Sequence, residues 1–253
     1  MTAGVTLRDK RVLVVGASSG IGRAFAGAAL GHGARVVLAA RRADLLEEAV
    51  AGHDHARGVA ADVREQEDCA RLLAEAAAEL GGLDLLLYSV GAAPLARVED
   101  LDAAAWRGVM ETNVIGASLV TAAALPHLAD GAVCAYVSSI SANRPYWGLA
   151  AYTTSKAALN QLAAAWRAEH PRVRFTRIVM GNTAPTGFGD AFDRDVLEQA
   201  FPHWNADGIR PFDLMEAADV GTHLAESLAV ALAHPGIELQ ELRLEAPRPR
   251  EGG

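Results

Sequence analysis

The chain has 253 residues, of which 51% are apolar and only 6% aromatic, and its formal charge at pH 7 is -8. That length suits one α/β domain able to bury roughly three quarters of the surface its unfolded form exposes. With no surplus of Lys and Arg to neutralise phosphates, neither nucleic acid nor an anionic membrane is expected as a partner.

Short apolar runs rich in β-branched residues alternate with longer helical patterns, as in a doubly wound parallel sheet with helices on both faces. In chain order, strands are predicted at 11–16, 35–39, 56–61, 83–89, 132–138, 172–180 and 238–244. Seven strands result, apolar at nearly every position, as burial on both faces demands. Crossover helices are predicted at 20–32, 43–51, 65–80, 149–169 and 216–232, and 101–128 reads as two helices meeting near Thr112 and Asn113. Residues 182–211, rich in Gly, Pro, Phe and Asp, break this rhythm just beyond a strand end. Ligands of open parallel sheets bind beyond those ends, so the segment is expected to be a substrate lid. The tail 246–253 is expected to fray.

Cys69 and Cys134 stand far apart without C-x-x-C spacing and read as reduced, apolar residues of a cytoplasmic protein. The eight histidines show no H-E-x-x-H pattern, and no metal is expected. No apolar run reaches the length of about 18 residues that a membrane span needs. The N-terminal Met1 to Gly4 has no charged region leading into an apolar block, so the chain is expected to be soluble and without a signal peptide.

The first strand runs into Gly16-Ala17-Ser18-Ser19-Gly20-Ile21-Gly22 and then a helix. Glycines in that position permit a tight turn and close approach of a pyrophosphate, while the helix N-terminus offers free N–H groups. The pattern predicts a dinucleotide site. An Asp or Glu about 20 residues further on would hold the ribose 2′-hydroxyl of NAD, whereas Arg accommodates the 2′-phosphate of NADP. Positions 34–42 contain no acid and end in Arg41-Arg42, which predicts NADP(H) over NAD(H).

Tyr152 and Lys156 are four residues apart in a predicted helix, hence on one face, and Ser139 lies thirteen residues before Tyr152. An ammonium beside a phenol favours the phenolate, so Tyr152 is expected to exchange protons near neutral pH. Taken singly, a serine at a strand end is often only a cap, and a Tyr–Lys pair often only surface packing.

Together, Gly16-x-x-x-Gly20-Ile21-Gly22, Asp62-Val63, Asn113, Ser139 and Tyr152-x-x-x-Lys156 resemble the short-chain dehydrogenase/reductase family over almost the whole chain. The resemblance implies a single-domain Rossmann fold and a carbonyl reductase or the equivalent alcohol dehydrogenase. Tyr152 would be the general acid in reduction and general base in oxidation. Lys156 would lower the Tyr152 pKa and hold the nicotinamide ribose, and Ser139 would hold the substrate oxygen. Asn113 would help bind a water relaying protons to Lys156, and Asp62 and Val63 would contact the adenine. The chain departs from the family after its fourth strand, where Ser89-Val90-Gly91 stands for Asn-Asn-Ala-Gly, and Ser89 and Gly91 are the expected cofactor contacts there. It departs again after the sixth strand, where Thr183 or Thr186 is expected to bind the carboxamide.

Pro145-Tyr146-Trp147 near the tyrosine, and Phe188, Phe192, Phe201 and Trp204 in the lid, concentrate aromatics around one site and predict an apolar or ring-bearing carbonyl or alcohol substrate. Half of these rings are expected to pack the lid onto the body. Relatives in the family form homodimers or homotetramers, and the Ala-rich faces of 149–169 and 116–128 suit such packing. A rival reading from another class is an NADP(H)-binding sensor without turnover, which the intact Ser139, Tyr152 and Lys156 disfavour.

Overall fold

The computed structural model describes residues 4–209 and 213–247. The end of the expected lid, 210–211, and the tail from 248 lie outside the described residues.

The chain runs β1 (Arg11–Val15), α1 (Gly20–Gly31), β2 (Arg35–Ala40), α2 (Ala43–Val50), β3 (Ala56–Ala60), α3 (Gln66–Leu80) and β4 (Leu83–Tyr88). It continues through α4 (Ala103–Met110), α5 (Gly116–Ala124), β5 (Leu128–Ser139), α6 (Ala150–Glu169) and β6 (Arg174–Met180). β7 (Thr183–Ala184), α7 (Arg194–Ala206), β8 (Met215–Glu216), α8 (Ala217–Ala233) and β9 (Glu241–Leu244) complete it. The seven predicted strands form one sheet in the order β3-β2-β1-β4-β5-β6-β9, every pair parallel.

Side chains of neighbouring strand residues point to opposite faces, and the two cores follow that alternation. Leu13, Val15, Val37, Leu86, Cys134 and Tyr136 face α3, α5 and α6. Val12, Val14, Val36, Leu85, Val133 and Ala135 face α1 and α8. Gly221 lets these two helices touch, since a Cβ there would lie 2.5 Å from the Ala24 carbonyl carbon. The expectation of apolar residues throughout holds for the inner strands only. β3 and β9 are the sheet edges, where β3 exposes Arg57, Gly58 and Ala60 and β9 exposes Glu241 and Arg243.

Stretch 101–128 holds the two expected helices, and they meet around Thr112 and Asn113 without a break: α4 and α5 are joined by a π-helical turn, Glu111–Ile115, with helical backbone at Met110 and Gly116. The resulting rod Ala103–His127 is, by length and mean hydropathy of 1.3, long and apolar enough to cross a membrane. Its inner face, with Asn113, Ala117, Val120 and Ala124, is buried in the body, while only 39% of the apolar window as a whole is buried. The expected lid is not irregular throughout. It contains α7, capped by Asp193 Oδ1 accepting from the N–H groups of Asp195 and Val196, and β7 and β8 pair as a small second sheet.

At the edge opposite the ligand end, arginines opening the strands take up the carbonyls left free at helix ends. Arg35 donates to Glu79 O and Leu80 O behind α3. Arg174, only 8% exposed, donates to Gly131 O and to Ala231 O, His234 O and Ile237 O behind α8. Arg174→Met strands these acceptors and should cost about 2–3 kcal/mol in urea unfolding, with Arg174→Lys restoring part. An unchanged midpoint for the Met variant would show that the carbonyls find other donors.

Candidate active site

The strand-to-helix turn after β1 is shaped by three close approaches. Gly16 has φ +91°, in the left-handed region, and a Cβ there would sit 2.8 Å from the Ser89 carbonyl. Gly20 has φ +55° and lies against Thr186, while a Cβ on Gly22 would fall 2.3 Å from Gly16 O. Only glycine allows β1, β4 and α1 to converge so tightly. The turn opens onto the first turn of α1, where no acid lies and Ser19 makes no side-chain cap, so its N–H groups suit an anion.

One cavity of about 760 Å³ runs from this turn to the lid. At the nucleotide end it is lined by Gly16, Ser18, Ser19, Gly20 and Ile21, by Arg41 and Arg42, and by Asp62 and Val63. Arg42 Nη2 donates to Ser18 Oγ at 3.0 Å and Ser19 Oγ at 3.2 Å, which sets its guanidinium over the glycine turn. Asp62 is clamped by Arg64, Nη2 to Oδ2 at 2.6 Å, and that hydrogen bond holds its carboxyl below the ordinary carboxylate range. Arg64 was not singled out in the sequence; an Asp-x-Arg spacing at a strand end was its only signal. Gly22 lies behind the turn and does not line the cavity. Ser89, Gly91 and Thr183 line its middle. Thr183 Oγ1 donates to Gly181 O at 3.2 Å, and Thr186 Oγ1 to Thr183 O at 3.4 Å, so both threonines belong to one turn.

Ser139, Tyr152 and Lys156 meet in the middle of the cavity, where β5 ends against α6. The Ser139 hydroxyl lies near enough to the Tyr152 phenol to lower its pKa. Ser139 Oγ accepts from the Ser141 N–H at 3.1 Å and the Ser141 hydroxyl at 2.9 Å, which fixes its rotamer. Ser141 was missed because S-x-S reads as ordinary loop sequence. Lys156 Nζ donates to Val137 O at 2.8 Å and lies 5.7 Å from the centre of the Tyr152 ring. Gly91 rests on the ammonium, 3.6 Å from where its Cβ would be.

Asn113, fully buried in the π-helical turn, accepts from Ala92 N at 2.7 Å and donates to Ala92 O at 3.0 Å and Ser155 Oγ at 2.8 Å. Both amide hydrogens are committed, so its side chain braces loop 89–92 against α6. Tyr88 OH holds the same turn through Thr112 O at 2.6 Å.

The titration behaviour differs from the expectation that Lys156 lowers the Tyr152 pKa. Burial dominates at both groups: it pushes the Tyr152 phenol up to about 12, with the Ser139 hydroxyl pulling the other way. Burial likewise pulls Lys156 down from 10.5 to about 8. Low-dielectric surroundings disfavour phenolate and ammonium alike.

The lid forms a third small core, in which Tyr152, Leu149 and Leu95 meet Ala200, Trp204 and Ile209. Trp204 Nε1 donates to Trp147 O at 2.9 Å, and Trp147 stacks on His203 at 4.9 Å. These contacts fasten α7 to the loop before α6. Phe188, Phe192, Phe201 and Tyr146 line the cavity, so the aromatics divide between packing and lining. Among the described residues no cluster of His, Cys, Asp or Glu could hold a metal ion. Cys69 and Cys134 are free and buried, and burial pushes both thiols up.

The short chain dehydrogenase family model matches residues 10–196. The chain belongs to the short-chain dehydrogenase family. Family sequences similar to it include cis-4-hydroxycyclohexanecarboxylate dehydrogenase of Sinomonas cyclohexanicum, 37% identical over 166 residues, 63% of this chain and 66% of that one. Another is 2-(S)-hydroxypropyl-CoM dehydrogenase 3 of Xanthobacter autotrophicus, 31% identical over 192 residues, 72% of this chain and 75% of the relative. A short chain dehydrogenase of Pseudocercospora fijiensis is 37% identical over 174 residues, 64% of this chain; the match spans little more than half, 55%, of that relative. Among solved structures, a dehydrogenase/reductase from Sinorhizobium meliloti superposes with TM-score 0.78 at 26% identity, covering 96% of each chain. A short chain dehydrogenase from Burkholderia cenocepacia shares the fold, with TM-score 0.79 at 24% identity over 95% of this chain and 98% of that one.

The depressed Lys156 pKa has a consequence for stability. Between about pH 8 and 10.5 the unfolded chain holds the Lys156 proton that the folded chain has released. Unfolding free energy therefore rises with pH across that window, by at most about 3 kcal/mol, and the burial penalty is full below it. Subtracting a Lys156→Met urea series from the wild-type series cancels the tyrosines, which act above pH 10. The difference should climb from pH 8 to 10.5; a flat difference would place the lysine in contact with water.

Proposed function

We propose that the chain is an NADPH-dependent carbonyl reductase, or in reverse an alcohol dehydrogenase, acting on an apolar or ring-bearing substrate. The observation that carries this reading is the convergence of Ser139, Tyr152 and Lys156 in one cavity with the glycine turn and Arg42. The fit for a dinucleotide rests on the cradle that a Cβ at Gly16 would fill and on the free N–H groups of α1.

Bound there, the nicotinamide supplies the hydride. Ser18, Ser19, Gly20 and Ile21 would hold its pyrophosphate, Arg41 and Arg42 the 2′-phosphate, and Asp62 and Val63 the adenine. Lys156 would hold the ribose and Thr183 the carboxamide, with Ser89 and Gly91 lining the path between. Ser139 and Tyr152 would both hydrogen-bond the substrate oxygen, and Tyr152 would give its proton to that oxygen as negative charge develops. A phenol pushed up to about 12 keeps its proton at neutral pH, the form that reduction requires. Oxidation requires the phenolate to accept the proton of the alcohol. Asn113 would act as a positioning residue, holding loop 89–92 and α6 in register.

The preference for NADPH is supported by the two arginines and by the lack of any acid between 34 and 42. The ring-bearing substrate is supported by the aromatic lining and by the alicyclic alcohol named for the Sinomonas relative. A soluble, cytoplasmic homodimer or homotetramer goes with this reading, supported by the two unbridged cysteines and the Ala-rich α5 and α6.

Tyr152→Phe should lose carbonyl reduction by about 10²- to 10⁴-fold in kcat while still binding NADPH; retained turnover would remove the phenol from the mechanism. Arg42→Ala should raise the KM for NADPH by about 10- to 100-fold and leave that for NADH within a few-fold. Equal effects on both nucleotides would argue against a 2′-phosphate contact.

A further inference from the structure

The lid reaches Tyr152 through one side chain that its packing does not explain. Phe188 sits in the short turn Gly187–Gly189, whose Phe188 N–H is accepted by Thr186 Oγ1 at 3.4 Å. The residue is 40% exposed, although most large apolar side chains of the body are fully buried. Its ring is nonetheless placed edge-on to Tyr152, with centroids 4.9 Å apart and planes at 65°. On another side it meets Phe192 edge-on at 5.4 Å and 75°. The remainder of the ring faces the cavity.

Phe192, Phe201 and Trp204 line the cavity as well, but the lid ring set against the Tyr152 ring is that of Phe188. Trp204 is buried, tied to Trp147 O, and packs edge-on against Phe201 at 5.7 Å. Phe188 is thus the described aromatic of the lid that both touches the acid/base phenol and keeps a free face toward the cavity. A phenyl so placed gives little to a short aliphatic chain. It gives a planar or alicyclic ring an apolar surface of matching size and an edge or face of complementary charge.

Resting on the carbonyl-reductase reading, we propose that Phe188 is the specificity-determining residue of the reacting centre. Its ring covers Tyr152 and forms the wall against which the substrate's ring packs while the carbonyl oxygen meets Tyr152 and Ser139.

Two measurements on the full chain test this. In the first, initial rates with NADPH are taken for a matched pair of methyl ketones, acetophenone and 2-butanone, on wild type, Phe188→Ala and Phe188→Leu. The ratio of kcat/KM values, aryl over alkyl, should fall by about 5- to 20-fold in the Ala variant, chiefly through KM for the aryl ketone. Leu restores apolar volume without a ring and should recover only part. An unchanged ratio in the Ala variant would overturn the proposal. The second measurement needs no turnover: ultraviolet titration of the phenols, with Tyr152→Phe as the subtraction. In Phe188→Ala the Tyr152 signal should appear at lower pH, because water gains access to the phenol; an unmoved signal would show that Phe188 does not cover it. Phe188 is partly exposed, so its variants should melt as wild type does. If the wild-type chain reduces no carbonyl, the reductase reading fails, and the phenol titration still decides whether Phe188 covers Tyr152.

Discussion

The site depends on a lysine ammonium taken out of water. Lys156, 3% exposed, spends its charge on the Val137 carbonyl at the end of β5. That bond fixes α6 against the sheet at the point where Tyr152, one turn earlier, stands over Ser139. A charged group so deeply buried is a cost to the fold. The lowered Lys156 pKa and the raised Tyr152 pKa are two consequences of the same dry environment. A helix anchored by a water-exposed residue would leave the phenol wetter and free to drift from the serine.

Around that anchor, the fold brings four loops to one end of the sheet. The glycine turn approaches Ser89 because Gly16 has no Cβ to hold the strands apart. The loop after β4 is then held from below, with Asn113 gripping both backbone groups of Ala92 and Tyr88 gripping the π-helical turn that presents Asn113. The lid closes the fourth side by resting Thr186 on Gly20 and Phe188 on Tyr152. The glycine turn and the Tyr152 phenol are therefore covered by residues two positions apart. Little of this uses the exposed salt bridges, which contribute weakly at a surface.

Much of the architecture was legible in the sequence because its signals are local. Alternating apolar strands and 3.6-residue helical periods gave all seven strands of the sheet. The glycine turn, the Arg41-Arg42 pair and the Tyr152-x-x-x-Lys156 spacing located three walls of the cavity. What escaped was what depends on distant partners. The place where α4 meets α5 was legible but its π-helical form was not, because tertiary bonds from Tyr88 and to Ala92 and Ser155 hold that turn. Helix α7 was hidden by the glycines and prolines around it. Ser141 and Arg64 carry no motif and matter only through what they touch. The sign of the Tyr152 shift was misjudged because spacing reveals a neighbouring charge but not the depth of burial.

The central claim is that this cavity moves a hydride to a carbonyl carbon beside Tyr152. The most direct measurement incubates the purified chain with NADPH carrying deuterium at the transferable C4 position and a panel of aryl and alicyclic ketones, and reads the products by mass spectrometry and NMR. One deuterium is expected on the carbinol carbon of a ring-bearing alcohol, with a solvent-derived proton on its oxygen. Intact ketones with unconsumed nucleotide, or an alcohol lacking deuterium at that carbon, would contradict it.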